Sequence, residues 1–323
     1  MKAFEPINRG YTHVFQAAKL SLGIVVPIEQ YPNSPVPSMK QHLERVQLVE
    51  RLGFKAIWLR DIPFNVPSFG DAGQTYDPFT YLGFLAGQTT EIALGISSIA
   101  LPLHHPLHIA KSAATIDQLS DGRMLLGIAS GDRFDEYPAM GIDYESRGEA
   151  FREAVAYLRK CQESFPQMES NRFGQLNAQI DPLPKPKGKR IPLLITGFSR
   201  QSLEWNATNG DAWMSYPRNI GQQQYTIAQW RKLVAEHHAY DKPFMQPLYV
   251  DLQQDDDAKP QAIPLGFKIG VNYLRDYFEM LQETGVNHVA INLRFNTMKT
   301  ERALERLADK VLIHFSSNQK EKS

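Results

Sequence analysis

Small and polar residues follow the apolar segments that the sequence presents as buried strands. Ser97 and Ser98 end one such strand, and Ser130 and Gly131 follow the next one along the chain. Glycine permits a positive φ or a close backbone approach to a ligand. Because parallel sheets bind ligands at the carboxyl ends of their strands, this pattern predicts a ligand site there. The alternative for the two adjacent serines is close packing of small side chains in the interior.

A second candidate group lies in the run Gly197–Ser202, where an apolar strand gives way to a helical pattern. The first N–H groups of a helix have no internal partners, and the helix dipole favours an anion at that end. We predict that the helix begins at Ser199. The Ser199 hydroxyl then either caps the helix or, together with those N–H groups and the Ser202 hydroxyl, holds a phosphate.

Arg60 and Asp61 end another apolar segment and are the candidate catalytic residues. Arginine stays protonated at neutral pH, so Arg60 cannot act as a general base. Its guanidinium group could bind an anionic substrate, with Asp61 orienting it. A buried ion pair without a catalytic role is the alternative.

Other polar residues predict structural roles. His104 and His105 are adjacent on a loop and therefore point apart, and no cysteine or carboxylate cluster accompanies them, so we predict no metal site. Pro106 favours the start of a helix, which makes His105 a capping or packing residue. Asp117 and Arg123 flank a turn, and we predict a structural ion pair between them.

Strand and helix patterns alternate along the chain. Apolar runs of strand length recur about eight times, each followed by apolar residues at helical spacing. This alternation predicts an α/β fold, the (β/α)8 TIM barrel, with insertions after strands and a possible hairpin at Pro166–Arg190. We expect a single domain over residues 1–323, with residues 1–20 as an N-terminal arm over the barrel and residues 316–323 as a frayed tail. Ser38 is predicted to cap the first long helix.

Composition excludes several classes of protein. The 323 residues carry 35 basic and 35 acidic side chains, which argues against a dominant electrostatic role on nucleic acid or a membrane. Cys161 is the one cysteine, so the chain has no internal disulfide, and a buried filler role is favoured over a reactive thiol. Because no long apolar run opens the sequence, we expect a cytoplasmic protein without a membrane span.

Four segments, in this order and at this spacing, resemble the bacterial luciferase-like monooxygenases, a family of flavin-dependent two-component oxidoreductases. The segments are GISSIALPLHHP, ATIDQLSDGRMLLGIASG, MGIDYESRGEAFREAV and LLITGFSRQSLEWNATNGDAW. The resemblance implies an enzyme that uses reduced FMN and O2. A flavin C4a-hydroperoxide would oxygenate a small organic substrate, and a separate NAD(P)H-dependent flavin reductase would supply the reduced flavin. We also expect a homodimer.

The resemblance also assigns cofactor-binding residues. In the family, a non-proline cis peptide lies against the flavin ring, and the match places it between Ser97 and Ser98. Residues that match Phe198, Ser199 and Ser202 surround the flavin phosphate there. The predicted cofactor-binding set is completed by the residues Ser130, Gly131 and Gly197.

Two positions depart from the family pattern. The family often holds the phosphate with an arginine where this chain has Ser130, so Arg133 or Arg200 could supply the positive charge instead. The luciferases carry a histidine as catalytic base at about the position of Arg60. Two alternatives therefore stay open: a deazaflavin (coenzyme F420) dependent enzyme of hydride transfer on the same barrel, and a flavin-binding protein without activity.

Overall fold

The computed structural model describes residues 2–70 and 72–316 and contains twelve strands in this part of the chain. Eight of them pair in parallel and close a barrel, in the order β12-β1-β2-β3-β4-β7-β8-β9, with β9 returning to β12. The strands are β1 Ser21–Val25, β2 Ala56–Leu59, β3 Ala93–Ala100, β4 Met124–Ala129, β5 Gln167–Ser170, β6 Gly174–Asn177, β7 Leu193–Thr196, β8 Ala212–Met214, β9 Phe244–Leu252, β10 Gln261–Ile263, β11 Gly266–Ile269 and β12 His288–Asn292. The predicted TIM barrel is confirmed.

Most of the helices cover the outside of the barrel between the strands. They are α1 Arg9–Val14, α2 His42–Arg51, α3 Pro78–Ala86, α4 Pro106–Leu119, α5 Glu136–Ala139, α6 Arg147–Cys161, α7 Leu203–Asn209, α8 Ile220–His237, α9 Val271–Thr284, α10 Thr300–Leu307 and α11 Ile313–Ser316, with a π-helical stretch at Ala308–Leu312. None of the helices in the described part of the chain is long and apolar enough to cross a membrane.

Two hairpins interrupt the alternation. Strands β5 and β6 pair antiparallel inside the segment that was predicted as an insertion, so the hairpin expected there is confirmed. Strands β10 and β11 form a second antiparallel pair, and β11 extends the sheet by pairing with the carboxyl-terminal half of β9. The second hairpin lies at the carboxyl end of β9, which places it beside the mouth of the barrel.

Close packing inside the barrel depends on glycines opposite large side chains. Trp58 and His288 are fully buried in the interior, and the Trp58 indole N–H donates to His288 Nε2 at 2.8 Å. A Cβ atom on Gly95 would collide with the Trp58 ring, and one on Gly23 would lie 2.7 Å from His288 Nε2. Small residues on neighbouring strands therefore make room for the two rings.

The predicted N-terminal arm is part of the barrel floor. Ile7, Tyr11, Val14 and Phe15 are each at most 4% exposed and pack against the inward-facing side chains of the barrel strands. The Tyr11 hydroxyl donates to the carbonyl oxygen of Asp211 at 2.8 Å. The arm thus closes the amino-terminal end of the barrel from below rather than lying over it.

Single-domain organisation over the whole chain stays a prediction. The predicted frayed tail, residues 316–323, lies outside the described residues except for Ser316, which ends α11.

Two local predictions are wrong. Helix α2 begins at His42 after Gln41, whose φ is +54°, and it has no side-chain cap. The Ser38 hydroxyl instead donates to Glu29 Oε2 at 3.0 Å, because this buried carboxylate lies within reach. The Ser38 side chain therefore stabilises a loop at the barrel mouth and not the helix.

The ion pair predicted between Asp117 and Arg123 is also wrong. Asp117 is fully buried and accepts hydrogen bonds from Asn8 Nδ2 at 3.0 Å and from the Lys187 N–H at 2.8 Å. Arg123 is 2% exposed, and its guanidinium group donates to backbone and hydroxyl oxygens of residues 86–92 and to the Ser120 carbonyl. Both residues fasten loops at the barrel floor, each through its own set of partners.

Candidate active site

A cavity of about 410 Å³ opens at the carboxyl ends of the barrel strands. Its walls combine small residues, charged side chains and aromatic rings. All eight barrel strands, or the segments directly after them, contribute one or more lining residues: Val25, Arg60, Ser97, Gly131, Thr196, Met214, Tyr249 and Asn292. This is the end at which TIM-barrel proteins bind their ligands.

The structure brings together six of the predicted site residues at this cavity. They are Arg60, Asp61, Ser97, Ser98, Gly131 and Gly197. The peptide bond between Ser97 and Ser98 is cis, as predicted, and the pairing register of β3 with β4 shifts between Ile96 and Ile99. The four small residues leave a section of wall without bulky side chains.

Gly131 has both features that require a glycine, a positive φ and a close neighbour at the position of a Cβ atom. Its φ is +74°, in the region that side chains with a Cβ rarely adopt. A Cβ atom there would lie 2.7 Å from the Tyr137 hydroxyl oxygen. That hydroxyl donates a short hydrogen bond to the carbonyl of Ser130, so the tyrosine cannot move away without losing it. Ser130 is 5% exposed and lies outside the cavity wall.

The turn after β7 differs from the prediction. Helix α7 begins at Leu203, and Ser202 is its N-cap, accepting from the Trp205 N–H at 3.1 Å. Ser199 lies in the preceding turn at φ +47°, and its hydroxyl donates to the carbonyl of Thr196 at 2.8 Å. The predicted helix start at Ser199 is therefore wrong. Phe198 is 52% exposed beside this turn.

Asp61 has a histidine partner. His104 Nε2 lies 2.7 Å from Asp61 Oδ2, and the carboxylate is nearly buried while the imidazole keeps partial contact with solvent. Sequence reasoning did not pair these residues, because they are 43 positions apart. His105, by contrast, is the N-cap of α4 and accepts from the Leu107 N–H at 3.2 Å, which confirms the predicted capping role.

Two further cavity residues were not foreseen from the sequence. Glu136 and Thr196 both line the cavity, and the Glu136 Oε1 and Thr196 Oγ1 atoms are buried with no hydrogen-bond partner among the described residues. Burial raises the pKa of Glu136 to about 7, more strongly than the nearby Arg133 lowers it. The only sequence signal for Glu136 is its place among the carboxylates that follow β4.

Aromatic side chains form another part of the wall. Tyr249 and Phe295 lie with ring centroids 5.3 Å apart, and Tyr216 lines the cavity near them. The Phe69 ring lies under the guanidinium group of Arg133, whose central carbon is 4.7 Å from the ring centroid. Such rings can pack against a planar ligand and exclude water from it.

The fold and this cavity define a class of protein, the TIM barrel with an open cavity at the carboxyl ends of its strands. The chain belongs to the luciferase-like monooxygenase family, whose model matches residues 20–309. This confirms the family that the sequence segments indicated.

Known proteins of related sequence and structure support this placement. The oxygenase component of the flavin-dependent trigonelline monooxygenase from Acinetobacter baylyi is 23% identical over 254 residues, which are 77% of this chain and 68% of that protein. The monooxygenase RslO1 from Streptomyces bottropensis superposes with a TM-score of 0.75 at 18% identity over 92% of this chain and 100% of that one. An F420-dependent secondary alcohol dehydrogenase superposes with a TM-score of 0.74 at 16% identity over 91% of this chain and 98% of that one.

Proposed function

We propose that the protein is the oxygenase component of a two-component monooxygenase, which uses reduced FMN and O2 to oxygenate a small organic substrate. The observation that carries the proposal is the cavity wall of small residues at the strand ends of a luciferase-like barrel. The relative from Acinetobacter baylyi, named as an oxygenase component, supports a separate reductase as partner. That partner would be an NAD(P)H-dependent flavin reductase, and we keep the homodimer as a further expectation.

The cavity residues fit a flavin. A volume of about 410 Å³ lies within the usual range for small-molecule sites. Ser97, Ser98 and Gly131 form a section of wall against which a flat ring can lie closely. Thr196 Oγ1 is buried without a partner among the described residues and can bond a polar ring atom. A bound reduced flavin would supply the electrons for O2, while the protein orients it and excludes water.

The flavin phosphate would lie near the turn Gly197–Ser202, as the resemblance implies. A serine hydroxyl has one donor and can accept as well. Ser199 already uses its donor on the Thr196 carbonyl, whereas Ser202 accepts from Trp205 and keeps its donor for another group. Ser202 is therefore the serine of this turn that is better prepared to donate to a phosphate, with Phe198 beside it. Arg200 and Arg133 are the candidates for the positive charge.

A second candidate function is F420-dependent hydride transfer. The observation that favours it is the superposition on the F420-dependent secondary alcohol dehydrogenase, which is as extensive as that on the monooxygenase RslO1. Both cofactors have a planar three-ring system with a phosphate-bearing side chain. The two functions differ in what happens to O2, since only a monooxygenase consumes it in step with substrate.

Anaerobic titration with reduced FMN, reduced riboflavin and reduced F420 tests the assignment through quenching of the protein's fluorescence. We expect reduced FMN to bind most tightly and riboflavin, which lacks the phosphate, more weakly. Oxygen consumption with a panel of small organic compounds should then rise in proportion to product. Tighter binding of F420 without coupled oxygen consumption would replace the proposal by hydride transfer, and binding without any turnover would indicate a flavin-binding protein without activity.

Replacement of Thr196 by valine is expected to weaken binding of reduced FMN about three- to tenfold, the effect of one lost hydrogen bond between neutral groups. The ligand-free protein should be no less stable, because Thr196 Oγ1 has no partner among the described residues that would be left unpaired. The matched control is Thr80→Val, an exposed threonine on α3. Equal affinities of Thr196→Val and Thr80→Val for FMN would show that the ligand does not reach Thr196.

A further inference from the structure

Glu136 is a buried carboxyl group inside the cavity. It is the first residue of α5, 3% of it is exposed, and it forms part of the cavity wall. Its Oε1 atom is shielded from solvent and has no hydrogen-bond partner among the described residues. An unpaired oxygen on a buried carboxyl group is costly, and a ligand that supplies a donor or an acceptor would remove the cost.

The charges that face Glu136 come from three segments. Arg133, one turn before it, has Nε at 4.0 Å from Oε1, beyond hydrogen-bond distance. Asp132 on the same segment and Asp61 after β2 are the nearby acids, and His104 after β3 is the nearby base. Burial and the two acids raise the pKa of Glu136, and Arg133 and His104 lower it, with a result of about 7. Both protonation states are therefore populated near neutral pH.

The other polar groups near Glu136 are less suited to proton exchange. Arg60 stays protonated. The Asp61 carboxylate is engaged by His104 at 2.7 Å. Burial raises the pKa of the Tyr216 hydroxyl, so this group stays neutral in the same range. Glu136 alone combines a place on the cavity wall with an oxygen that has no partner in the described part of the chain and with titration near neutral pH.

We propose that Glu136 is the proton donor of this cavity. Its carboxyl O–H bond breaks as the proton passes to an anionic oxygen or nitrogen atom of the bound ligand, and Glu136 is left as a carboxylate. The reverse transfer restores the acid before the ligand leaves, so no other reagent is needed. The proposal rests on the proposed function only in taking this cavity as the site of an anionic ligand such as reduced FMN.

The direction in which the affinity for reduced FMN changes with pH follows from which protonation state of Glu136 binds the ligand. That form carries the proton, so affinity is highest below pH 7 and falls as the carboxylate forms. For the wild type, the dissociation constant of reduced FMN should rise about tenfold between pH 6 and pH 8 from this group alone. In Glu136→Gln the side chain is always neutral, and this increase should be absent. Any ionisation of free FMN affects both proteins equally and cancels in the comparison.

The first experiment uses the ligand-free protein and does not depend on any cofactor. Infrared difference spectra between pH 5.5 and pH 8.5 should contain the carbonyl band of a buried carboxylic acid that disappears at about pH 7. The band should be missing in Glu136→Gln and kept in Asp135→Asn, which removes a neighbouring exposed carboxylate of the same segment. A wild-type spectrum without such a band would overturn the proposal whatever ligand the cavity binds.

The second experiment measures the dissociation constant of reduced FMN from pH 6 to pH 8, with reduced F420 as the probe if FMN does not bind at pH 6. Glu136→Asp should keep the wild-type profile in a weakened form, and Asp135→Asn should keep it unchanged. Parallel profiles of the wild type and Glu136→Gln would mean that Glu136 has a structural role only. Lack of binding by either probe would count against the proposed function, and the infrared result would still decide whether Glu136 titrates.

Discussion

Replacement of Arg123 by methionine is expected to lower the free energy of unfolding by at least about 3 kcal/mol. The Arg123 guanidinium group donates to the carbonyls of Ala86, Thr89, Ile92 and Ser120 and to the Thr89 hydroxyl, at distances between 2.7 and 3.0 Å. Methionine fills a similar volume but leaves these acceptors without a donor. Each buried acceptor that loses its partner costs about 1–3 kcal/mol, partly offset because a charge no longer has to be buried.

Chemical denaturation checks this expectation. The midpoint should fall in Arg123→Met while the slope stays unchanged, since the surface exposed on unfolding is the same. Arg302→Met is the matched control, because Arg302 is an exposed arginine on α10. Arg123→Lys should fall between the two, since one ammonium group has three donors and cannot reach all five acceptors. A loss in Arg123→Met no larger than in the control would show that water can replace the guanidinium group.

Acid should destabilise the protein through His288, by about 3 kcal/mol between pH 7 and pH 4. His288 is fully buried, and burial lowers its pKa to about 3. The Trp58 indole can only donate, so Nε2 is the acceptor. The Nδ1 atom then carries the proton and donates to Ser21 Oγ at 2.6 Å, while that hydroxyl donates to the Val14 carbonyl at 2.7 Å. A second proton would have to be placed on Nε2 against the indole N–H.

The direction of the effect follows from proton binding. Above about pH 6.5, the histidine is neutral in both the folded and the unfolded chain, and it imposes no penalty. As the pH falls from about 6.5 towards 3, His288 binds a proton in the unfolded chain but stays neutral in the folded protein. Stability is therefore lost across this pH range. His13, whose pKa burial lowers to about 4, adds a smaller loss of the same sign.

Denaturation of His288→Gln at a series of pH values isolates the part of the acid-induced loss of stability that His288 causes. Glutamine keeps an acceptor for the Trp58 indole and cannot be protonated, so the variant should lose less stability than the wild type between pH 7 and pH 4. The absolute stability at pH 7 need not match, because only the slope is compared. His314→Gln, at an exposed histidine of α11, should keep the wild-type slope. Equal slopes in wild type and His288→Gln would mean that the buried imidazole accepts a proton without cost.

The barrel could be predicted from the sequence because its signals are local. Apolar strand runs alternate with helical spacing, and the cap at His105 is set by a side chain directly before Pro106, the first residue of α4. The family pattern in addition located the cis bond between Ser97 and Ser98. Each of these features is determined by residue types within a short stretch of the sequence.

Apart from the helix start predicted at Ser199, the errors arise where the deciding hydrogen-bond partner lies well outside the local stretch of sequence. The Ser38 hydroxyl donates to Glu29, nine positions earlier, and therefore does not cap the helix. Four of the five acceptors of Arg123 lie more than thirty positions earlier in the sequence, and none of them belongs to Asp117. His104 meets Asp61 across two strand ends, 43 residues apart. Hydrogen-bond partners of this kind are fixed by the closed barrel, and no periodicity or spacing along the chain encodes them.

Domain boundaries drawn from sequence similarity would cut this protein in the wrong place. The family match starts at residue 20, yet the helix that seals the lower end of the barrel, α1, precedes it. A chain trimmed to the match would lack the Tyr11 and Phe15 rings. Water could then reach Trp58 and His288 from the amino-terminal end of the barrel. The amino-terminal residues thus close one end of the barrel, and the cavity opens at the other end, where the strands have their carboxyl ends.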